Sequence, residues 1–203
     1  MYEVFVDNKK ILFIDSTQNF NNTICTMKSS SFLDFKNYHD LLVRLPSSDL
    51  IAVVCAQKEK VWRKFVENFQ FIDAAGGIVT FNNSFLAIYR NDKWDLPKGK
   101  LEKKEQPVIG AEREIEEECG VSELEYINPI CNTFHTYLFK DRPVLKKTYW
   151  YHFKTKNKQN LRPQHDEGIT QAIWMQINRK QDFLNNTYAS IIEVLNCFEK
   201  SES

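Results

Sequence analysis

Apolar and polar residues change period several times along this chain, and each change marks an element. "YEVFV" and "ILFID" are branched and aromatic runs on either side of "DNKK", which predicts a β-hairpin. "SFLDFKNYHDLLVRL" sets Phe32, Phe35, Tyr38, Leu41, Leu42 and Leu45 at helical spacing before Pro46, which predicts one helix. "LIAVVCA" is a continuous apolar run and predicts a buried strand, and "KEKVWRKFVENF" places Val61, Trp62, Phe65 and Phe69 on one helical stripe. Residues 1–70 thus predict a small α/β unit, and residues 71–203 a second domain of mixed order. In that second part "AAGGIVTF" and "FLAIYR" read as strands around the turn "NNS", and "WDLPKGKLEKKE" reads as a loop. A helix begins near Pro107, a good first-turn residue. "ICNTFHTYLF" and "LKKTYWYHF" are strands joined near "KDRP", "AIWMQI" is another strand, and "NTYASIIEVLNCFEK" is a closing helix. Interleaved strands and helices of this kind predict an α+β fold rather than a helical bundle.

Composition removes several function classes. Lysine and arginine total 27 against 27 acidic residues, so the chain offers no general charge for nucleic acid or a membrane surface. The five cysteines include no C-x-x-C pair, the usage of reduced thiols in a cytoplasmic protein. The first residues are interrupted by charges and hold no signal-peptide core, and no apolar stretch is long enough to span a bilayer. The expectation is a soluble, cytoplasmic protein with a small-molecule partner, a homodimer staying open.

"REIEEECG", Arg113 to Gly120, raises a physical problem. Glu112–Glu116 and Glu114–Glu118 are like charges four apart on a helix, which repel. They also crowd the C-terminal end, where the helix dipole favours cations. On a helical wheel at ~100° per residue, Val108, Ala111, Ile115 and Cys119 form a stripe suited to burial. Glu114, Glu117 and Glu118 share a neighbouring arc, while Glu112 and Glu116 fall on the other side of the stripe. Convergent carboxylates beside a core are what a hard divalent cation binds, and such a cation would relieve both the repulsion and the unfavourable dipole.

The spacing around them carries more. "GKLEKKEQPVIGAEREIEEECGV" supplies Gly99, Glu105, Arg113, Glu114, Ile115, Glu117, Glu118, Gly120 and Val121. This resembles the Nudix box, G-x5-E-x7-R-E-U-x-E-E-x-G-U with U apolar, at every specified position. Typical residue frequencies put a chance match at on the order of one in a billion per start position. The resemblance spans about residues 70–200. It implies an α/β/α sandwich with a mixed sheet, preceded here by the small α/β unit, and hydrolysis of a nucleoside diphosphate linked to another moiety, with Mg²⁺ or Mn²⁺. By position, Glu114, Glu117 and Glu118 match metal-binding carboxylates and Arg113 matches an arginine that orients them. Glu105 and Gly120 match structural positions, and Gly99 one whose carbonyl can touch metal. Glu114 and Glu117 are both candidate general bases, as is an acidic residue of "HDEG". There Glu167, ahead of Asp166, matches a loop glutamate that binds metal in relatives.

"W-x-x-P-K-G" resembles the diadenosine polyphosphate and diphosphoinositol polyphosphate branch, and Lys98 stands where many relatives have a second glycine. An added lysine suits a substrate with more phosphates. Arg90, at a strand end, and Lys100 and Lys147 are further candidates for phosphate. The expected substrate is a dinucleoside polyphosphate, with ADP-ribose and oxidised nucleoside triphosphates as alternatives. A non-catalytic nucleotide-sensing regulator is disfavoured, because the carboxylates are complete and the near charge balance of residues 1–70 suggests no DNA-binding helix.

Overall fold

The computed structural model describes residues 2–15 and 25–202. They divide into two compact units, Met1–Ile72 with Phe134–Lys146, and Asp73–Thr133 with Lys147–Ser203.

In the first unit β1 (Tyr2–Val6) and β2 (Lys9–Asp15) form the expected antiparallel hairpin, Tyr2 opposite Phe13 and Val6 opposite Lys9. Its turn is only Asp7–Asn8, at φ of 48° and 64°, a two-residue geometry that Asp and Asn tolerate. Lys9 and Lys10 therefore belong to the strand. Then come β3 (Cys25–Lys28), α1 (Ser29–Leu33), α2 (Tyr38–Arg44), β4 (Leu50–Cys55) and α3 (Lys58–Val66). β4 lies between β2 and β3, parallel to both, which is why its run is apolar throughout. Ile11, Phe13, Ile51 and Val53 face the helices and pack with Phe32, Leu41, Trp62 and Phe65, while Leu12, Ile14 and Ala52 form a smaller cluster on the other face. The single helix expected across residues 31–45 is two. Asn37 Oδ1 accepts the Asp40 N–H at 2.9 Å, and Asp40 Oδ2 accepts the Lys36 N–H at 2.9 Å. These side chains cap a new helix inside a stretch whose apolar period continues unbroken.

The second unit contains β5 (Gln70–Phe81), whose first residues lie in the first unit, β6 (Ser84–Arg90), β7 (Lys93–Asp95), β8 (Lys98–Lys100) and α4 (Pro107–Cys119). It continues with β9 (Glu125–Phe139), β10 (Arg142–Lys154), β11 (Ile169–Gln176), α5 (Lys180–Leu184) and α6 (Ala189–Glu202). Its strand order is β11-β6-β5-β10-β9, with β7 on β6 and β8 on β5. The segment "WDLPKGK", expected as loop, thus supplies two short strands. Alternation sorts the sheet's two faces. Ala75, Val79, Leu86, Ile88 and Phe153 pack on Ala111, Ile115 and Cys119 of α4. Ile78, Phe85, Ala87 and Trp150 pack on Phe183 of α5 and Ile191, Val194 and Leu195 of α6. The sheet lies between helical layers, the α/β/α arrangement expected, with parallel and antiparallel pairs in the molecule.

Residues 134–146, the outer part of the β9–β10 hairpin, belong to the first unit. Phe134 meets the Trp62 ring edge-on at 5.2 Å, Leu145 is fully buried, and Phe5 and Val6 pair with His135 and Thr136. Nothing local in "FHTYLFKDRPVLK" signals this, because the pairing spans more than a hundred residues of chain. A fragment beginning at Ile72 should therefore expose Phe134 and Leu145 and bind a hydrophobic dye strongly. A monodisperse fragment with no dye binding would show that this cluster does not need residues 1–71.

Candidate active site

Pro107 opens α4 at its first turn, and Gly120 closes it at φ 72°, a left-handed conformation that a β-carbon would strain. The last carbonyls do not stay open. Gly120 N–H donates to Glu116 O at 2.8 Å, Arg162 N–H to Cys119 O at 2.8 Å, and Gln164 N–H to Glu118 O at 3.0 Å. The helix end that looked unfavourable for carboxylates is thus capped by backbone amides from the segment leading to β11.

Arg113 gathers the acidic groups. Its Nε and Nη2 donate to the two oxygens of Glu105, both at 2.9 Å, and Nη1 donates to Glu114 and to Glu117, both at 2.8 Å. Nη2 also donates to Lys100 O at 3.2 Å, tying the helix to β8. Pairing with Arg113 holds the Glu105 carboxyl below its ordinary range and raises Arg113 further. Glu114 shifts the other way, because burial outweighs its arginine partner. Gly99 sits against it: a β-carbon there would fall inside the Glu114 carboxylate, so only glycine lets β8 approach the helix this closely.

Glu118 is the buried member of the set, 1% exposed. Its Oε2 accepts the Lys98 backbone N–H at 2.8 Å, and Oε1 lies 3.6 Å from Arg90 Nη1. Burial pushes its carboxyl up to about 7, against the pull of Lys98 and Arg90. Arg90 ends β6 and reaches Glu167 as well, Nη2 to Oε2 at 3.3 Å. Glu167 closes a 3₁₀ turn, His165–Glu167, just before β11. The fold therefore brings Arg90, Glu118 and Glu167 together from three distant stretches, and Arg113, Glu114 and Glu117 beside Gly99. Among the described residues no three Asp, Glu, His or Cys side chains stand assembled as a metal cage. The donors fit a hard cation in chemistry, and the Gly99 backbone lies directly against the Glu114 carboxylate. A cation would compete with Arg113 and Arg90 for the same oxygens.

The lysines part company. Lys98 does not extend into open solution: its Nζ is bound to Asp95 and lies 3.4 Å from Leu96 O, and its side chain is 13% exposed. The expectation that its ammonium reaches for phosphate does not describe this arrangement, because a buried aspartate holds it. Lys100 is exposed at the end of β8. Lys147 donates to Tyr149 Oη at 2.8 Å, its Nζ 4.0 Å from that ring's centre, on the face of β10 that carries Phe153 towards α4. Glu112 and Glu116 bond to none of these groups, and Glu112 is raised by partial burial alone. Burial also raises the Cys119 thiol, leaving it unreactive in the core. Asp95 was missed in sequence. "WDLPK" contains it, but an acidic residue after tryptophan gives no sign that it is 4% exposed.

A sandwich whose loop–helix edge gathers carboxylates around an arginine defines a class of hydrolases acting on phosphate anhydrides. The NUDIX domain family model matches residues 71–194, and the chain belongs to the Nudix family. Among solved structures, an Ap4A hydrolase of C. elegans in a binary complex is 21% identical with a TM-score of 0.50, over 64% of this chain and 96% of that one. The MutT protein of Methanosarcina mazei Go1 is 17% identical with a TM-score of 0.52, over 66% and 97%. A bifunctional NMN adenylyltransferase/ADP ribose pyrophosphatase of Francisella tularensis, complexed with AMP and a manganese ion, is 15% identical with a TM-score of 0.50, over 85% and 51%. At these identities the likeness is one of fold. No curated protein matches the sequence significantly. The chain is a pyrophosphohydrolase of nucleotide derivatives, from a family that generally uses divalent metals. Among the described residues no helix is long and apolar enough to cross a membrane.

Proposed function

We propose that this chain hydrolyses the diphosphate linkage of a dinucleoside polyphosphate with Mg²⁺ or Mn²⁺ held by Glu114, Glu117, Glu118, Glu167 and the Gly99 carbonyl. The observation that carries the metal assignment is the convergence of Glu114 and Glu117 on one guanidinium nitrogen beside Gly99, with Glu118 buried next to them. When bound, the metal masks phosphate charge and acidifies a water. The chain's residues do the rest. Arg113 holds Glu114 and Glu117 in place, and one of these, or Glu167, takes the water's proton. Arg90 and Lys100 neutralise phosphate oxygens, and Lys147 with Tyr149 offers a cation and an aromatic face to the nucleoside end. The engagement of Lys98 by Asp95 removes one cation from the long-chain argument and favours, as a second reading, ADP-ribose or an oxidised nucleoside triphosphate.

The deciding experiment is a panel of diadenosine tetraphosphate, diphosphoinositol polyphosphate, ADP-ribose and oxidised nucleoside triphosphate at equal concentration with Mg²⁺. The expected result is the highest kcat/KM on the tetraphosphate. A tenfold preference for ADP-ribose would replace this reading with the second. Glu112→Gln and Glu116→Gln serve as controls on the helix face. Both should keep turnover within about threefold of wild type, since surface changes away from the site usually matter little. Losses as large as those of Glu117→Gln would mean that the helix presents another face to the substrate.

A further inference from the structure

We propose that Asp95 is a positioning residue for Glu118, acting through Lys98; the proposal rests on the reading of Glu118 as a metal ligand. Asp95 is the last residue of β7, 4% exposed, and both its oxygens are used. Oδ1 accepts the Leu96 N–H at 2.8 Å, and Oδ2 accepts the Lys98 ammonium. It therefore ties the start of the segment "DLPK" to the lysine side chain at its end. Lys98 opens β8, opposite Gly76 of β5, and its backbone N–H donates a short hydrogen bond to the Glu118 carboxylate, at 2.8 Å to Oε2. The other neighbour of that carboxylate, Arg90, stands at 3.6 Å, an ion pair without hydrogen-bond geometry. The direction in which Glu118 points is thus set by where the Lys98 N–H sits. Two restraints fix that position: pairing of β8 with β5 and the side-chain tether to Asp95.

The tether also has an electrostatic use. A free ammonium this near Glu118 would compete with a divalent cation for its oxygens. Asp95 takes that charge, so Lys98 can lend its N–H without adding a competitor. This accounts for two features together: a lysine beside the box whose ammonium turns to Asp95, and a buried aspartate that binds none of the box residues directly. Groups that orient first ligands from behind commonly matter to metal affinity by about 10–100-fold.

The test is Mn²⁺ binding, read from the free-ion signal in electron paramagnetic resonance at a temperature where circular dichroism shows each variant folded. Asp95→Asn should weaken Mn²⁺ about tenfold relative to wild type. Lys98→Met and the double variant should also weaken Mn²⁺, but by no more than Asp95→Asn, because all three cut one tether and only Asp95→Asn leaves an unpaired ammonium near Glu118. Turnover of Asp95→Asn should recover as Mn²⁺ is raised, whereas Glu118→Gln should not recover. Should Asp95→Asn fail to fold, the double variant carries the test, since replacing both charges of a buried pair leaves neither orphaned. Mn²⁺ affinity within twofold of wild type in any folded tether variant would overturn the proposal, as would losses that add in the double. Wild-type affinity in Glu118→Gln would instead remove the metal-ligand reading beneath it, and the two failures are told apart by that variant alone.

Discussion

Glu118→Gln should remain folded and lose on the order of 10³-fold in turnover, because a ligand that stabilises developing charge is worth several kcal/mol in a site shielded from water. Glutamine keeps the shape and can still accept from the Lys98 N–H, so the loss isolates the charge. The same variant should change the metal-free protein in the opposite sense. The carboxyl of Glu118 titrates at about 7 in the fold against 4.5 ordinarily. Between those values the folded state holds a proton that the unfolded state has released, so stability in EDTA falls as pH rises from about 4.5 to about 7. Above that the ionised buried carboxylate costs about 3 kcal/mol. Glu118→Gln removes this term, and in EDTA at pH 8 its Tm should exceed that of wild type, with little difference at pH 4.5. Excess Mg²⁺ should reverse the order at pH 8. A variant with normal turnover, or a wild-type Tm in EDTA that does not fall across this window, would place the essential carboxylate elsewhere.

Arg113→Lys should lose about 10²-fold in turnover although it keeps the charge. Arg113 makes five hydrogen bonds in fixed directions from its three nitrogens, two to Glu105, one each to Glu114 and Glu117, and one to Lys100 O. A lysine ammonium is a single point that cannot serve both Glu105 and the Glu114–Glu117 pair. The variant leaves at least one partly buried carboxylate without its partner, which should cost about 2 kcal/mol of stability. That cost has its own pH signature. The Glu105 carboxyl is held below its ordinary 4.5 in the fold, so the wild-type pair is fully present above that pH and is lost as acid protonates it. The Tm gap between wild type and Arg113→Lys should narrow below about pH 4. Full activity in Arg113→Lys would mean that charge alone suffices and that the fork is incidental.

The sequence by itself determined the elements whose packing is local and periodic. The strand pairs around Asp7–Asn8 and Asn82–Asn83, the buried stripe of Ala111, Ile115 and Cys119, and the closing helix were all legible, because period 2 and period 3.6 are imposed by backbone geometry alone. The box spacing was legible for the same reason. The nine specified positions run over one short stretch, from β8 through a loop and α4 to the residues just past its end, so their order in the chain is nearly their order in space. Sequence also separated Glu114, Glu117 and Glu118 from Glu112 and Glu116, since a helix fixes angles without reference to the rest of the fold.

Tertiary structure decided what depends on distant partners. Asn37 divides a helix that its apolar period alone would have continued. The outer β9–β10 hairpin belongs with residues 1–72 because Trp62 and Tyr38 meet it, and no local signal encodes that meeting. Arg90 and Glu167 stand 77 positions apart and are joined only by the pairing of β6 with β11. The fate of Lys98 is the sharpest case. Its composition and place suggested a hand for phosphate, but a lysine bonds whichever anion folding leaves nearest, and burial gave it Asp95. Charge is written in the sequence, whereas the partner that neutralises it is chosen by packing, since the cost of desolvating a charge depends on everything that surrounds it.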